Sequence, residues 1–264
     1  MTIVVKIGGA PGNRTERVLD EIAAHPEYLL VHGGSAEVDR LGVALGRPAV
    51  YYTTPSGVVS RRSDAVHLEV LVLALAGKVQ TDLVAGLGAR GVRAVGLSGV
   101  DGRLLLARKR TGARALVDGK VIHLTDDLSG TIERVDTSLL STLRAAGLVP
   151  VVGPPAVTEA GELLNVDADR VASAVAGALS AEALVLLTNV PGLLARRDDP
   201  TSLVARIPRA EVERFLPLAE GRMRKKLVAA RDAIAAGVGR VVIGPSDVDA
   251  PIAHALAGHG TVIE

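Results

Sequence analysis

Ile3-Val4-Val5-Lys6-Ile7-Gly8-Gly9 decides the fold. Its first five residues hold four β-branched apolar side chains, and two glycines close the run. A short apolar run with such an end reads as a strand buried on both faces. Residues 28–31 form a second such run, ended by His32-Gly33-Gly34 and followed by a helical stretch at 35–45. Residues 14–24 read as the helix that joins the two strands. Outward from there the alternation persists. Strands are expected at 94–97, 149–152, 183–187, 240–243 and 261–263, and helices at 66–76, 139–146, 167–179, 221–236 and near 252. Repeated strand–helix units predict an α/β fold with a mainly parallel sheet covered on both faces. Residues 103–135 interrupt the pattern: Asp101-Gly102, Thr111-Gly112 and Asp118-Gly119 are turn signals between short β-rich runs. Inserted β-hairpins beside the main sheet are expected there.

Composition narrows the function. Of 264 residues, 48% are hydrophobic but only 2% aromatic, so the core is aliphatic and stacking platforms for single-stranded nucleic acid are not expected. A net charge of +1 argues against a general polyanion binder. The absence of cysteine excludes disulfides, thiolate metal sites and thiol catalysis. The N-terminus reads as a strand rather than a leader, and the strongly apolar stretch at 68–76 is too short to span a bilayer. A cytoplasmic enzyme without a membrane or nucleic-acid partner is expected.

Gly86-Leu87-Gly88-Ala89-Arg90-Gly91 matches GxGxxG, but it closes a helix instead of opening one, so no dinucleotide site is expected. No GxxxxGK[ST] loop occurs. The glycine pairs Gly8-Gly9 and Gly33-Gly34 stand at two strand ends, where ligands of open parallel sheets bind. They read either as tight turns or as one anion-binding crevice. Lys6, inside an apolar strand, either snorkels or has a buried partner. Asn165-Val166-Asp167-Ala168-Asp169 opens a helix, where carboxylates also serve as caps; Arg170 and Ala176 exclude a calcium loop. Gly221-Arg222-Met223-Arg224-Lys225-Lys226 places four cations where the helix dipole is already positive, which favours a bound anion. Arg61-Arg62-Ser63-Asp64 supplies guanidinium forks suited to a carboxylate.

Taken together, these motifs resemble the amino-acid kinase family, most closely its acetylglutamate-kinase branch. Ala94-Val95-Gly96-Leu97-Ser98-Gly99, Leu186-Leu187-Thr188-Asn189-Val190-Pro191-Gly192 and the closing Gly260-Thr261-Val262 extend the match, in order, over nearly the whole chain. The resemblance implies an open α/β/α sandwich of the carbamate-kinase type. It forms one domain, with a substrate lobe at about 1–164 and an ATP lobe at 165–264. It implies ATP with Mg2+. Lys6 and Lys226 would neutralise the moving phosphoryl group, and Asp169 would orient both. Gly8, Gly9, Gly33 and Gly34 would offer backbone N–H groups to phosphate and substrate. Arg61 and Asn165 would hold the substrate, and Thr188, Asn189, Pro191 and Gly192 would border the nucleotide.

Departures from the acetylglutamate pattern are informative. Ser35 follows the glycine pair where a third glycine is usual, Arg62-Ser63 replaces Val-Thr, and Arg224-Lys225 replaces Ile-Pro. These resemble the branch that phosphorylates 2-aminoadipate carried on a small acidic LysW-type carrier protein. Residues 103–123 hold Arg103, Arg108, Lys109, Arg110, Arg114 and Lys120 against the single acid Asp118. Either a solvated hairpin or a docking surface for an acidic partner follows, with Arg108, Lys109, Arg110, Arg114 and Lys120 as its contacts. Acetylglutamate or carrier-linked glutamate is the rival substrate, and a non-catalytic amino-acid sensor the rival class. The apolar helix at 66–76 needs cover beyond one sheet, which predicts a homodimer.

Overall fold

The computed structural model describes residues 2–9, 12–55, 59–117 and 119–264. Its centre is an eight-stranded sheet. The strand order is Arg206–Ile207, Thr261–Ile263, Arg240–Pro245, Ala183–Thr188, Ile3–Ile7, Leu29–His32, Val149–Gly153 and Ala94–Ser98. All pairings are parallel except that between Arg240–Pro245 and Thr261–Ile263. The sheet runs unbroken through both halves of the chain, with Ile3–Ile7 bonded to a strand from each.

Alternation along the first strand builds both cores. Ile3, Val5 and Ile7 pack with Val18, Leu19, Ile22, Leu83, Leu87 and Ile252 on one face. Val4 packs with Val171, Val175, Leu227 and Ala230 on the other. Each aliphatic side chain fully buried this way contributes about 1.5–3 kcal/mol. Lys6 shares the face of Val4, so it points at the layer formed by helices Ala168–Ala178 and Gly221–Ala235.

The hairpin region is larger than the sequence reading anticipates. Leu105–Lys109 and Gly130–Val135 pair in one four-stranded sheet with Ala156–Val157 and Leu163–Leu164. Arg114–Val117 and Lys120–His123 join Tyr51–Thr53 and Val59–Arg61 in a second. The pair at 51–61 escapes the sequence reading because three-residue strands lack a resolvable period. Asp118 of the expected turn lies outside the described residues. The expected helix at 66–76 is a segment of a continuous helix, Ala65–Gly88, whose middle Leu73–Val79 is π-helical. This helix is longer than the apolar stretch read from sequence, and by length and composition alone it could cross a membrane, as could the core helix of a soluble protein. Here Leu83 and Leu87 enter the main core, and Leu68, Val70, Leu71, Ala74 and Leu75 form a smaller cluster with Val38. It is not apolar-buried all round: Val66 and Leu73 are exposed.

Candidate active site

Three ionised groups meet at the carboxyl end of the central strands. Lys6 Nζ lies 2.7 Å from Asp169 Oδ1. Lys226 Nζ donates to both carboxylate oxygens, at 3.0 and 3.1 Å. Lys6, Asp169 and Lys226 are only 5%, 6% and 7% exposed. Each is fixed by its element. Lys6 sits mid-strand, paired with Leu186 and Val31. Asp169 is in the first turn of its helix, where the preceding Asp167 caps the end by accepting from the Asp169 N–H at 2.9 Å. Lys226 lies at the second turn of Gly221–Ala235.

The electrostatics follow from two cations sharing one anion. Burial alone would raise the Asp169 carboxyl, but the charges and hydrogen bonds of Lys6 and Lys226 outweigh it and hold it well below the ordinary carboxylate range. Burial lowers Lys6, yet the Asp169 charge and hydrogen bond, helped by Asp167, leave it above its ordinary value. Lys226 is pushed down to about 8, by burial first and then by the Lys6 charge. The cluster carries one surplus positive charge, and Asp169 stays ionised. It is built to attract an anion, and no proton acceptor is among its members.

The glycine pairs divide by role. A Cβ on Gly9 would lie 2.3 Å from the Gly34 Cα, so the two turns touch backbone to backbone. A Cβ on Gly34 would also strike Leu75, at 2.5 Å. Gly8 and Gly33 instead flank the ammonium: a methyl there would lie 3.8 or 4.0 Å from Lys6 Nζ. The Gly33 N–H is donated to the Ile7 carbonyl at 3.1 Å in this structure. Gly34 leaves helix Ser35–Ala44 without a side-chain cap, an arrangement that suits an approaching anion. A cavity of ≈ 210 Å³ opens beside these turns, lined also by Asn13, Thr15 and Glu37.

The other expected residues are distributed as follows. Arg61 Nη2 donates to Asp39 Oδ1 at 2.6 Å and to the Tyr51 hydroxyl at 3.2 Å, and its guanidinium lies over the Tyr51 ring at 5.7 Å. Asn165 Nδ2 donates to Ser63 Oγ at 2.8 Å, which joins two motifs 102 residues apart. Thr188 ends its strand beside Pro245 and accepts from the Ser246 N–H at 2.8 Å. Asn189 follows it; the Asn189 Cβ is 3.6 Å from where a Cβ on Gly12 would lie. Pro191 lines a second cavity of ≈ 260 Å³ with Leu203, Pro245 and His259. Gly192 is required by packing, since a Cβ there would meet Thr261 Oγ1 at 2.6 Å.

Two sequence expectations change. Of the four cations opening Gly221–Ala235, Lys226 alone enters the cluster; Arg224 bonds the Leu216 carbonyl and Lys225 faces Asp167 at 3.7 Å. The basic surplus of 103–123 is smaller in space than in sequence. Arg103, Arg108 and Lys109 pair with Glu159, Glu133 and Glu162. His32, beside the second glycine pair, is fully buried and packs where a Cβ on Gly153 would fall 2.4 Å from its Nε2.

Sequence reasoning passed over Asn13 and Ser246. Asn13 donates to the Gly8 carbonyl at 2.8 Å and accepts from Ser246 Oγ at 2.7 Å. This ties the first glycine turn to the end of strand Arg240–Pro245. Nothing in their local sequence marks them, because the tie spans 233 positions.

The sequence profile of the amino acid kinase family matches residues 1–245. The chain belongs to that family. Among relatives, a LysW-aminoadipate kinase of Deinococcus radiodurans is 46% identical over 265 residues, 99% of this chain and 91% of the relative. A LysW-aminoadipate kinase of Thermus thermophilus is 45% identical over 267 residues, 99% of each chain. An acetylglutamate kinase of Methanopyrus kandleri is 40% identical over 266 residues, 98% and 99% of the two chains. In fold, the chain is similar to the carbamate kinase of Giardia lamblia bound to AMP-PNP, with a TM-score of 0.69 at 15% identity, covering 99% and 97% of the chains.

Proposed function

We propose that this kinase transfers the γ-phosphoryl group of ATP to the side-chain carboxylate of L-2-aminoadipate borne on a LysW-type carrier protein, giving ADP and an acyl phosphate. The observation that carries the reading is the Lys6–Asp169–Lys226 cluster beside Gly8 and Gly33. Similarity to two LysW-aminoadipate kinases over nearly the whole chain selects the substrate.

The chemistry asks little beyond positioning and charge. A carboxylate is already a nucleophile, so no general base is needed. Its oxygen forms the new bond to the γ-phosphorus while the bond to the β-phosphate bridging oxygen breaks, and ADP leaves with the electron pair. Lys6 and Lys226 neutralise the charge that spreads over the transferring group, and Asp169 holds both ammonium groups toward it. Arg61 and Asn165 hold the substrate, and Thr188, Asn189, Pro191 and Gly192 border the nucleotide. Among the described residues there is no group of three or more metal-ligating acids or histidines. Mg2+ would accompany the nucleotide phosphates, and no step here is assigned to it.

The 40% identity to an acetylglutamate kinase favours a second reading, N-acetylglutamate as substrate. One methylene separates the glutamate and aminoadipate side chains, worth about 1–3 kcal/mol in a fitted pocket, and the amino group carries an acetyl in one acceptor and a protein in the other. Acyl-phosphate trapping as a hydroxamate, with N-acetylglutamate, carrier-linked glutamate and carrier-linked aminoadipate in parallel, tests the choice. Turnover of carrier-linked aminoadipate is expected; turnover of N-acetylglutamate alone overturns the proposal. Val66 and Leu73, exposed on helix Ala65–Gly88, support pairing of two copies through that helix. Light scattering at the mass of one chain would refute it.

A further inference from the structure

Asn13, Arg17 and Glu21, spaced four apart, fasten the start of the chain to the segment that follows strand Arg240–Pro245. Asn13 stands just before helix Thr15–Ala24, and Arg17 and Glu21 lie one turn apart on it. Asn13 Oδ1 accepts from Ser246 Oγ at 2.7 Å. Arg17 donates to the Asp247 carbonyl at 2.8 Å and lies 3.0 Å from the Asp249 carboxylate. Glu21 accepts from the Ile252 and Ala253 N–H groups, at 2.6 and 2.8 Å, where helix Pro251–Leu256 begins. Asn13 also reaches the first glycine turn, because its Nδ2 donates to the Gly8 carbonyl at 2.8 Å.

That bond fixes more than a carbonyl. The Gly8 carbonyl and the Gly9 N–H belong to one planar trans peptide, so they point in opposite directions. Holding the carbonyl toward Asn13 aims the Gly9 N–H away from it. Among the described residues no backbone carbonyl accepts that N–H. Glycine on both sides leaves rotation of this peptide little restricted, since neither residue has a Cβ. Asn13 supplies the missing restraint. The turn lies against the cluster: a methyl on Gly8 would be 3.1 Å from Asn13 Nδ2 and 3.8 Å from Lys6 Nζ. Ser246 holds Asn13 in turn. The Gly8 carbonyl can only accept, so the amide sets its NH2 toward the turn and its oxygen toward the Ser246 hydroxyl. Ser246 is fully buried, and its own N–H donates to the Thr188 carbonyl at 2.8 Å.

From this relay we infer that Asn13 and Ser246 are positioning residues of the kinase reaction: they hold the Gly8–Gly9 peptide so that the Gly9 N–H meets the transferring phosphoryl group, in register with the strand end at Thr188. The inference rests on the proposed placement of that group beside Lys6 and the glycine turns. It does not depend on which carboxylate receives the group.

The test is steady-state kinetics by hydroxamate trapping, using the acceptor that the wild type turns over best. Asn13→Ala should lower kcat about 10- to 100-fold, the scale of a misplaced catalytic contact, and Ser246→Ala severalfold. KM for ATP and for the acceptor should stay within threefold. The double variant should be no slower than Asn13→Ala, because Ser246 acts through Asn13. Asn13→Asp keeps the shape and the Ser246 bond but cannot donate to the Gly8 carbonyl at neutral pH, so it should be as slow as Asn13→Ala. Arg17→Ala breaks the same seam one turn further on and should keep kcat within twofold. A kcat within threefold of wild type in Asn13→Ala or Asn13→Asp overturns the inference. So does an equal loss in Arg17→Ala, which would make the whole seam structural. Losses that multiply in the double variant refute the relay through Ser246. Wild-type preference for N-acetylglutamate overturns the proposed acceptor and leaves this inference standing, because the phosphoryl donor is the same.

Discussion

Replacing Asp169 by asparagine tests the cluster directly. The side chain keeps its shape but loses the charge that balances two buried ammonium groups 2.7–3.1 Å away. In the native protein Lys226 is held at about 8 instead of 10.5, a difference corresponding to roughly 3 kcal/mol of destabilisation. Without Asp169 it falls further and sheds its proton at neutral pH. That release limits its total cost to roughly 5 kcal/mol, the work of deprotonating an ordinary lysine at pH 7. Lys226 therefore adds about 2 kcal/mol, and Lys6, held above its ordinary value by the same carboxylate, loses at least as much. The expected destabilisation is about 3–5 kcal/mol, as for removing one partner of a buried ion pair. Urea unfolding at pH 7 reads this number. Hydroxamate trapping of the acyl phosphate should show kcat falling about 10²- to 10³-fold, the usual loss when one charge-stabilising donor is disabled. Stability within 1 kcal/mol of wild type together with kcat within tenfold would refute the reasoning.

Two further outcomes follow from the same geometry. Because Lys226 is charged below about 8 and neutral above it, kcat/KM for ATP should fall above that pH. Its folded pKa lies below the unfolded 10.5, so the folded chain binds fewer protons between about 8 and 10.5. The group's penalty on stability is thus full below 8 and relieved as pH rises through that window. Lys226→Arg keeps its charge and should flatten the kinetic limb; a limb left in place would assign it to another group. Gly9→Ala drives a methyl into the Gly34 backbone at 2.3 Å and should cost about 1–3 kcal/mol or more in chemical denaturation. Gly33→Ala meets nothing nearer than the Ala168 Cβ, at 3.3 Å, and should fold normally while losing turnover. Equal stability of the two variants would remove the distinction between packing and ligand-facing glycines.

What was legible in the sequence is what local chemistry enforces. Ile3–Ile7 and Ala183–Thr188 declare themselves because a strand buried on both faces must be apolar throughout. Lys6 stands out in such a run for the same reason. Asp169 and Lys226 each mark a helix start with charge, and a strand, a helix start and a second helix start converge where parallel sheets collect ligands. The rest depended on partners remote in sequence. The neutralisation of Arg108 by Glu133, the anchoring of Arg61 by Asp39 and the Asn13–Ser246 tie have no local signature. The sequence reading places a helix end at 86–91 but does not join it to the stretch at 66–76, because Gly77, Lys78 and Asp82 interrupt the apolar run. In the structure Lys78 and Asp82 instead pair at 2.5 Å, one turn apart on the same helix.

The surplus positive charge at the centre makes the empty protein its own least stable form. Two ammonium groups and one carboxylate leave one positive charge over, and the balancing negative charge comes with an anionic ligand such as the nucleotide. Ligand binding to the folded chain alone stabilises it by mass action, about 2.7 kcal/mol when the ligand stands at 100 times its dissociation constant. The protein's lifetime should therefore track the supply of ATP.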